Sequence, residues 1–152
     1  MEIREYRPED WPRLCEIHDA ARLDELRHSV GEAAFLTLEQ TAENEGLFEA
    51  NLVVADLSGR VEGFVAFSHD ELTWLYVDPS VYRCGIGRAL LRYAIAHAGN
   101  RMSAEVLEGN DPALQLYLSE GFSIIQKVNG RLCGNDAFAA SGYVLERQQT
   151  AT

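Results

Sequence analysis

One segment constrains the fold of this chain more than any other: residues 75–91, in which a strand ends, a glycine-bearing loop follows and a helix begins. The first amides of a helix have no partner inside it, and the helix dipole adds about half a positive charge at that end. Gly85 and Gly87 also remove the Cβ atoms where a ligand would approach the backbone. The segment therefore predicts an α/β fold with a phosphate or pyrophosphate site at a strand-to-helix loop.

Two well-known phosphate-binding motifs do not fit this segment. A dinucleotide-binding fingerprint needs a third glycine three residues after Gly87, and that position is Leu90. A Walker loop needs Gly-Lys-Ser or Gly-Lys-Thr, which the sequence does not contain. Two glycines alone are equally compatible with an ordinary strand-to-helix turn, so the loop by itself leaves both interpretations open.

Strand and helix patterns alternate on both sides of the loop. We predict helices at residues 9–26, from a Ser29–Glu32 capping box to about residue 44, at 87–98 and at 112–120. We predict strands at residues 3–7, 52–55, 61–67, 72–77, 102–107, 122–128 and 138–145. This order predicts a central mixed sheet with helices on its faces, in a single domain at residues 1–147 with a tail at 148–152.

The charge of the chain narrows the choice of partners. It has 13 Lys and Arg residues against 24 Asp and Glu residues, a net charge of −11. Such a surface repels nucleic acid and anionic lipid, so we expect neither as a partner. No apolar run approaches the roughly 18 residues of a membrane span and no leader is evident, which favours a cytoplasmic protein. The scattered cysteines and histidines predict neither a disulfide framework nor a metal site.

A second block of residues makes the loop a specific signal. The first block is Val77-Asp78-Pro79 and Tyr82-Arg83-Cys84-Gly85-Ile86-Gly87, and the second is Asn110, Leu116-Tyr117 and Gly121-Phe122. In their order and spacing, the two blocks resemble the GNAT superfamily of N-acetyltransferases, and the resemblance is strong over residues 72–125. One difference is Tyr82, which stands where the family has Gln or Arg.

The resemblance implies both a fold and a co-substrate. The fold would be a mixed, mostly antiparallel sheet of about seven strands with four helices, splayed between the fourth and fifth strands. The co-substrate would be acetyl-CoA, with its pyrophosphate on the loop amides and its pantetheine arm in the splay. By resemblance, the residues around it are Leu75, Tyr76 and Val77 beside the arm, Arg83, Cys84, Gly85, Ile86, Gly87 and Arg88 at the pyrophosphate, and Asn110 at the end of the next strand.

Acetyl transfer to an amine requires that the amine lose a proton and that the departing thiolate gain one. A lysine-like ammonium has a pKa near 10.4, so removing its proton at pH 7 costs about 4.6 kcal/mol. Tyr117 resembles the general acid of the family, and a phenol is protonated at neutral pH. Glu71 and Glu105 each resemble the general base of one family branch. We rank Glu105 first, because it is interior to its strand and therefore expected to be desolvated.

We therefore predict an N-acetyltransferase that moves the acetyl group from acetyl-CoA directly to a primary amine of a small molecule or peptide. The acceptor would enter between the first two helices and the final hairpin. A cationic acceptor is favoured by Asp24, Glu25, Glu32 and Glu71. Members of the family often dimerise, so the resemblance is compatible with a homodimer. The alternative prediction is a non-catalytic acyl-CoA-binding or sensing module.

Overall fold

Two antiparallel half-sheets form the centre of the fold in the computed structural model, which describes residues 1–149. The first half-sheet has the order β1 (Glu2–Glu5), β2 (Asn51–Leu57), β3 (Arg60–Phe67), β4 (Leu72–Val77). The second has the order β5 (Arg101–Leu107), β7 (Asn135–Gln148), β6 (Ser123–Leu132). The helices are α1 (Trp11–Arg27), α2 (Leu38–Thr41), α3 (Ile86–His97) and α4 (Asp111–Ser119). This architecture confirms the predicted fold class.

The half-sheets meet through their backbones at one end of β4. Glu71 and Ser103 form an isolated parallel bridge, and the Ser103 amide donates to the Asp70 carbonyl at 2.8 Å. Along the rest of its length β4 pairs with β3, and β5 pairs with β7, within residues 1–149. A β4–β5 cleft therefore opens from the Glu71 end towards Val77, as predicted for the fourth and fifth strands.

Helices cover both faces of the first half-sheet, which is why β3 is buried along nearly its whole length. Phe64 and Trp74 point towards α1 and α2, while Val65 and Leu72 pack with α3. Burying each such side chain is worth about 1.5–3 kcal/mol. The resulting two-sided core fixes β4 and α3, and so fixes the loop between them.

The predicted second helix is largely wrong. The predicted stretch holds only a 3-10 turn at Glu32–Ala34 and the single α-helical turn of α2, and Gly31, inside the predicted capping box, has φ +109°. The Ser29 hydroxyl donates to the Glu25 carbonyl at 2.9 Å and does not cap a helix. The observed capping box lies later in the chain, at Thr37 and Gln40. The Thr37 hydroxyl accepts from the backbone amide of Gln40 at 3.2 Å, and the side-chain Oε1 of Gln40 accepts from the backbone amide of Thr37 at 2.8 Å.

The final hairpin is longer than predicted and reaches the first helices. Leu132, near its tip, packs with Leu26 of α1 and with Ala34. At the other end Gln148 is still part of β7, and residues 150–152 of the predicted tail lie outside the described residues. The hairpin thereby forms a wall opposite α1.

Candidate active site

The loop between β4 and α3 presents a row of free backbone amides. None of the amides of residues 83–88, called here the amide loop, donates to a backbone carbonyl within the described chain. Regular helical bonding begins with Ala89, whose amide donates to the Gly85 carbonyl at 3.0 Å. Consecutive unpaired amides at the start of a 12-residue helix make a ready site for a phosphate group.

Backbone conformation gives the amide loop its shape. Arg83 and Gly85 have φ of +68° and +80°, so the chain passes through the left-handed region directly before α3. Gly85 is the N-cap of the helix, and Arg83, Cys84 and Gly85 are all exposed. Ile86 is buried in the core and anchors the first turn. The exposed part of the loop is therefore held rigidly on a buried base.

The side chain of Arg88 is occupied by α4. Its Nη1 donates to Ser119 Oγ at 2.9 Å and to Glu120 Oε1 at 2.7 Å. Arg88 can therefore offer a ligand its backbone amide, while its guanidinium ties the start of α3 to the end of α4. A Cβ at Gly87 would lie 3.6 Å from Leu116 and 3.7 Å from Val77, so this glycine faces the space between α4 and β4.

The three predicted residues of β4 face opposite ways. Leu75 and Val77 pack towards the core beneath α3, and Tyr76 packs against Phe64 and His18 on the α1 side. The backbone edge of this part of β4 faces the cleft and has no partner strand among residues 1–149. An extended ligand could therefore pair with β4 as a strand would.

Glu25 lies at the centre of the site, although the sequence pointed to it only as one of several acidic residues. Its Oε1 accepts from Arg22 Nη1 at 2.6 Å and from the Tyr76 hydroxyl at 3.4 Å. Its Oε2 accepts from Asn110 Nδ2 at 2.8 Å. Burial, followed by the Glu25 carboxylate, raises the pKa of Tyr76, so this phenol stays protonated and serves as a donor. Glu25 and Asn110 are 85 positions apart, and no local pattern joins them.

Asn110 is the N-cap of α4. Its Oδ1 accepts from the Ala113 amide at 3.4 Å, while its amide nitrogen is held by Glu25. Both ends of the side chain are thus engaged within the protein. The predicted contact of Asn110 with the co-substrate stays a prediction.

Tyr117 lies on α4 and is 5% exposed. Its ring meets Phe122 edge-on, with 5.2 Å between centroids. Burial raises the pKa of Tyr117, and the Glu25 carboxylate raises it further. The phenol is therefore protonated at neutral pH, as a proton donor must be.

A cavity of about 690 Å³, called here the side cavity, opens between the cleft, α1 and the final hairpin. Glu71 and Glu105 both line it, and both are exposed. The expectation that Glu105 would be desolvated is therefore wrong, because its strand edge faces the open cavity. Partial burial, then the charges of Glu105 and Asp70, raise the pKa of Glu71.

The side cavity brings together some predicted residues and separates others. Glu25, Glu71 and Tyr76 line it, whereas Asp24 does not, and Glu32 pairs with Arg27 at the surface. Tyr117 is also outside its lining in the described part of the chain. The charged residues of its lining are the acids Glu25, Glu45, Glu71 and Glu105 and the bases Arg22 and Arg131, so the acids are in excess. Glu45 comes from the segment after α2, and its place here was not evident from sequence.

Known proteins that are similar to this chain support the assignment of the cleft as an acetyltransferase site. The family profile described as the acetyltransferase (GNAT) domain matches residues 48–124, about half of the chain. The chain belongs to the GNAT acetyltransferase family. The family match includes β4, the amide loop, α3, β5 and α4, which are the elements that form the cleft.

Individual GNAT relatives extend the comparison. The peptidyl-lysine N-acetyltransferase YjaB of Escherichia coli is 34% identical over 103 residues, which cover 64% of this chain and 67% of that protein. The peptidyl-lysine N-acetyltransferase YiaC of Escherichia coli is 34% identical over 68 residues, 44% of this chain and 46% of that protein. The structure of yncA, a putative acetyltransferase of Salmonella typhimurium with acetyl-CoA, has a TM-score of 0.74 at 22% identity and covers 100% of this chain and 95% of its own.

The predicted enzyme class and co-substrate are confirmed. The protein is an acetyl-CoA-dependent N-acetyltransferase. The free amides of the loop and the open edge of β4 fit the diphosphate and the amide-containing arm of this co-substrate. Across residues 1–149, none of the helices combines the length and the apolar character needed to cross a membrane.

Proposed function

We propose that this GNAT enzyme transfers the acetyl group directly to the ε-amine of a lysine side chain in a peptide or protein. The observation that carries the proposal is the side cavity, in which Glu71 and Glu105 lie together without an ionic partner within residues 1–149. Carboxylates without a cation of their own favour a positively charged acceptor. The names of the relatives YjaB and YiaC, both peptidyl-lysine N-acetyltransferases, support the same acceptor class.

The direction of the cleft supports this arrangement of donor and acceptor. The amide loop follows Val77, at the open end of the cleft, and the Glu71–Ser103 bridge closes the other end. A pantetheine arm that starts at the loop and pairs with the free edge of β4 would run towards Glu71. Its thioester would then approach the side cavity, where the amine enters.

Two proton movements complete the reaction. The amine nitrogen forms a bond to the thioester carbonyl carbon, the carbon–sulfur bond breaks, and the sulfur receives a proton from Tyr117. The proton of the amine passes to Glu71 or Glu105, directly or through water. A carboxylate with a raised pKa is the better base near neutral pH, and Glu71 has that property.

A panel of blocked peptides and small amines tests the acceptor class. Release of CoA thiol is measured with a lysine peptide whose α-amine is blocked, with the same peptide carrying a free α-amine and a blocked lysine, and with a polyamine. We expect the first peptide to give the highest kcat/KM and to gain one acetyl group by mass. Turnover with the polyamine alone would refute a peptide acceptor, while leaving the acetyl-CoA site intact.

A further inference from the structure

The β4–β5 cleft is crossed in different ways at its two ends. At the closed end the backbones of Glu71 and Ser103 bridge directly. Towards the open end the strands share no backbone hydrogen bond in the described chain, and Glu25 reaches both sides from α1. Its carboxylate accepts from Tyr76 on β4 and from Asn110, which follows β5. The Glu25 side chain therefore links the two half-sheets where their backbones are no longer hydrogen-bonded to each other.

The bonding of Glu25 indicates a fixed link and not a ligand contact. Its two oxygens accept from Arg22, Tyr76 and Asn110, which belong to three different parts of the fold. The side chains of Arg22 and Glu25 are only 18% and 16% exposed. Burying a charged pair is costly unless further hydrogen bonds compensate, and the donors on Tyr76 and Asn110 supply them to the carboxylate of Glu25. Little of the carboxylate is left to bind an ammonium group.

The C-terminal end of α1 also packs directly against the loop that contains Asn110. Gly109 has φ +104°, and a Cβ built there would lie 2.0 Å from the His28 carbonyl oxygen. This close approach is open only to glycine. It sets the distance between α1 and Asn110, so a close backbone approach fixes the position of Glu25 relative to the β5 side of the cleft.

We propose that Glu25 is a positioning residue that sets the width of the β4–β5 cleft near the amide loop, and thereby how tightly the cleft holds the pantetheine arm of acetyl-CoA. This inference rests on the proposed placement of the arm along β4. It assigns Glu25 no contact with the reacting atoms. Its effect is exerted through Tyr76 and Asn110, which it holds at a fixed separation.

The inference is tested with Glu25→Gln and two ligands. Glutamine keeps the size of the side chain, but its amide nitrogen cannot accept from Asn110. One ligand is acetyl-CoA, and the other is 3′-phospho-ADP, which retains the diphosphate but lacks the arm. We expect the Kd of acetyl-CoA to rise about tenfold, the equivalent of one hydrogen bond to a charged group. The Kd of 3′-phospho-ADP should change by less than about twofold, because it reaches only the loop.

Asp10→Asn is the matched control. Asp10 lies at the other end of α1, and its carboxylate accepts from Arg4 at 2.9 and 3.0 Å and from the Arg7 amide at 2.9 Å. This acid-to-amide change should lower Tm and leave both dissociation constants unchanged. The Asp10→Asn variant therefore measures how much stability is lost when a buried ion pair at the start of α1 is removed without any change in the cleft.

Several results would overturn the proposal. Glu25→Gln could leave acetyl-CoA binding unchanged, or it could weaken both ligands equally, which would indicate general loosening. A rise in the KM of the amine with an unchanged Kd for acetyl-CoA would instead make Glu25 an acceptor contact. If the unaltered protein bound neither ligand, the assignment of the amide loop would fail first, and that result is distinct from the others.

Discussion

Gly85 allows the shape of the amide loop to be tested apart from its contacts. Its φ is +80°, and a Cβ added there would meet no atom within 4 Å. In Gly85→Ala the methyl group therefore brings backbone strain and no steric clash. Left-handed backbone costs an ordinary residue about 1–2 kcal/mol, so the free energy of unfolding should fall by that amount if the loop keeps its shape. For a chain of this size, Tm would fall by about 2–8 °C.

Where the loss of stability is smaller than this, ligand binding should be weakened instead, because the diphosphate requires the strained conformation. If the loop of the free variant relaxes to negative φ, binding must restore the left-handed turn. A cost of about 1–2 kcal/mol weakens binding by a factor of about 5–30. Isothermal titration calorimetry with acetyl-CoA measures this factor, and thermal unfolding of the same samples measures the strain.

Gly46→Ala is the control for strain alone. Gly46 also precedes a helical turn, in this case the 3-10 turn Leu47–Glu49, and its φ of +75° is close to that of Gly85. Its added Cβ would lie 3.5 Å from Glu49 Oε2, an ordinary contact. We expect a similar loss of stability and no loss of acetyl-CoA affinity. If the Gly85→Ala protein lost no stability, so that its free loop had relaxed, and still bound acetyl-CoA as tightly as the Gly46→Ala protein, the role of the amide loop would be refuted.

Two further predictions concern the proton movements. Tyr117→Phe should lower kcat by about 10²–10⁴-fold and leave the Kd of acetyl-CoA unchanged, since only the proton donor is lost; an unchanged kcat would remove Tyr117 from the mechanism. For Glu71→Gln and Glu105→Gln, pH–rate profiles identify the base. The variant that lacks it should lose turnover mainly below about pH 8 and recover at higher pH, where more of the amine is already neutral. A profile unchanged in both variants would exclude both carboxylates.

The donor side of the site was predictable because it is local. Gly85, Ile86 and Gly87 are consecutive, and the free amides follow from where a strand ends and a helix begins. The helix cap at Asn110 is equally local, since it binds the amide of Ala113. Such features depend on hydrogen bonds within a few residues, which a sequence pattern records directly. A homodimer and a cytoplasmic location stay predictions of the sequence.

The acceptor side depended on the tertiary structure. The cleft brings Glu71 close to Glu105, and the seating of α1 brings Glu25 to Asn110. The exposure of Glu105 could not be inferred from its place within β5, because it depends on the cavity that the hairpin and α1 leave open. The failure of the predicted Ser29–Glu32 capping box likewise involves Gly31, whose positive φ lies inside that pattern. Local hydrogen bonds are determined by residues that are neighbours in the sequence. The burial and pairing of charges that are distant in the sequence are determined only by how the half-sheets and helices pack.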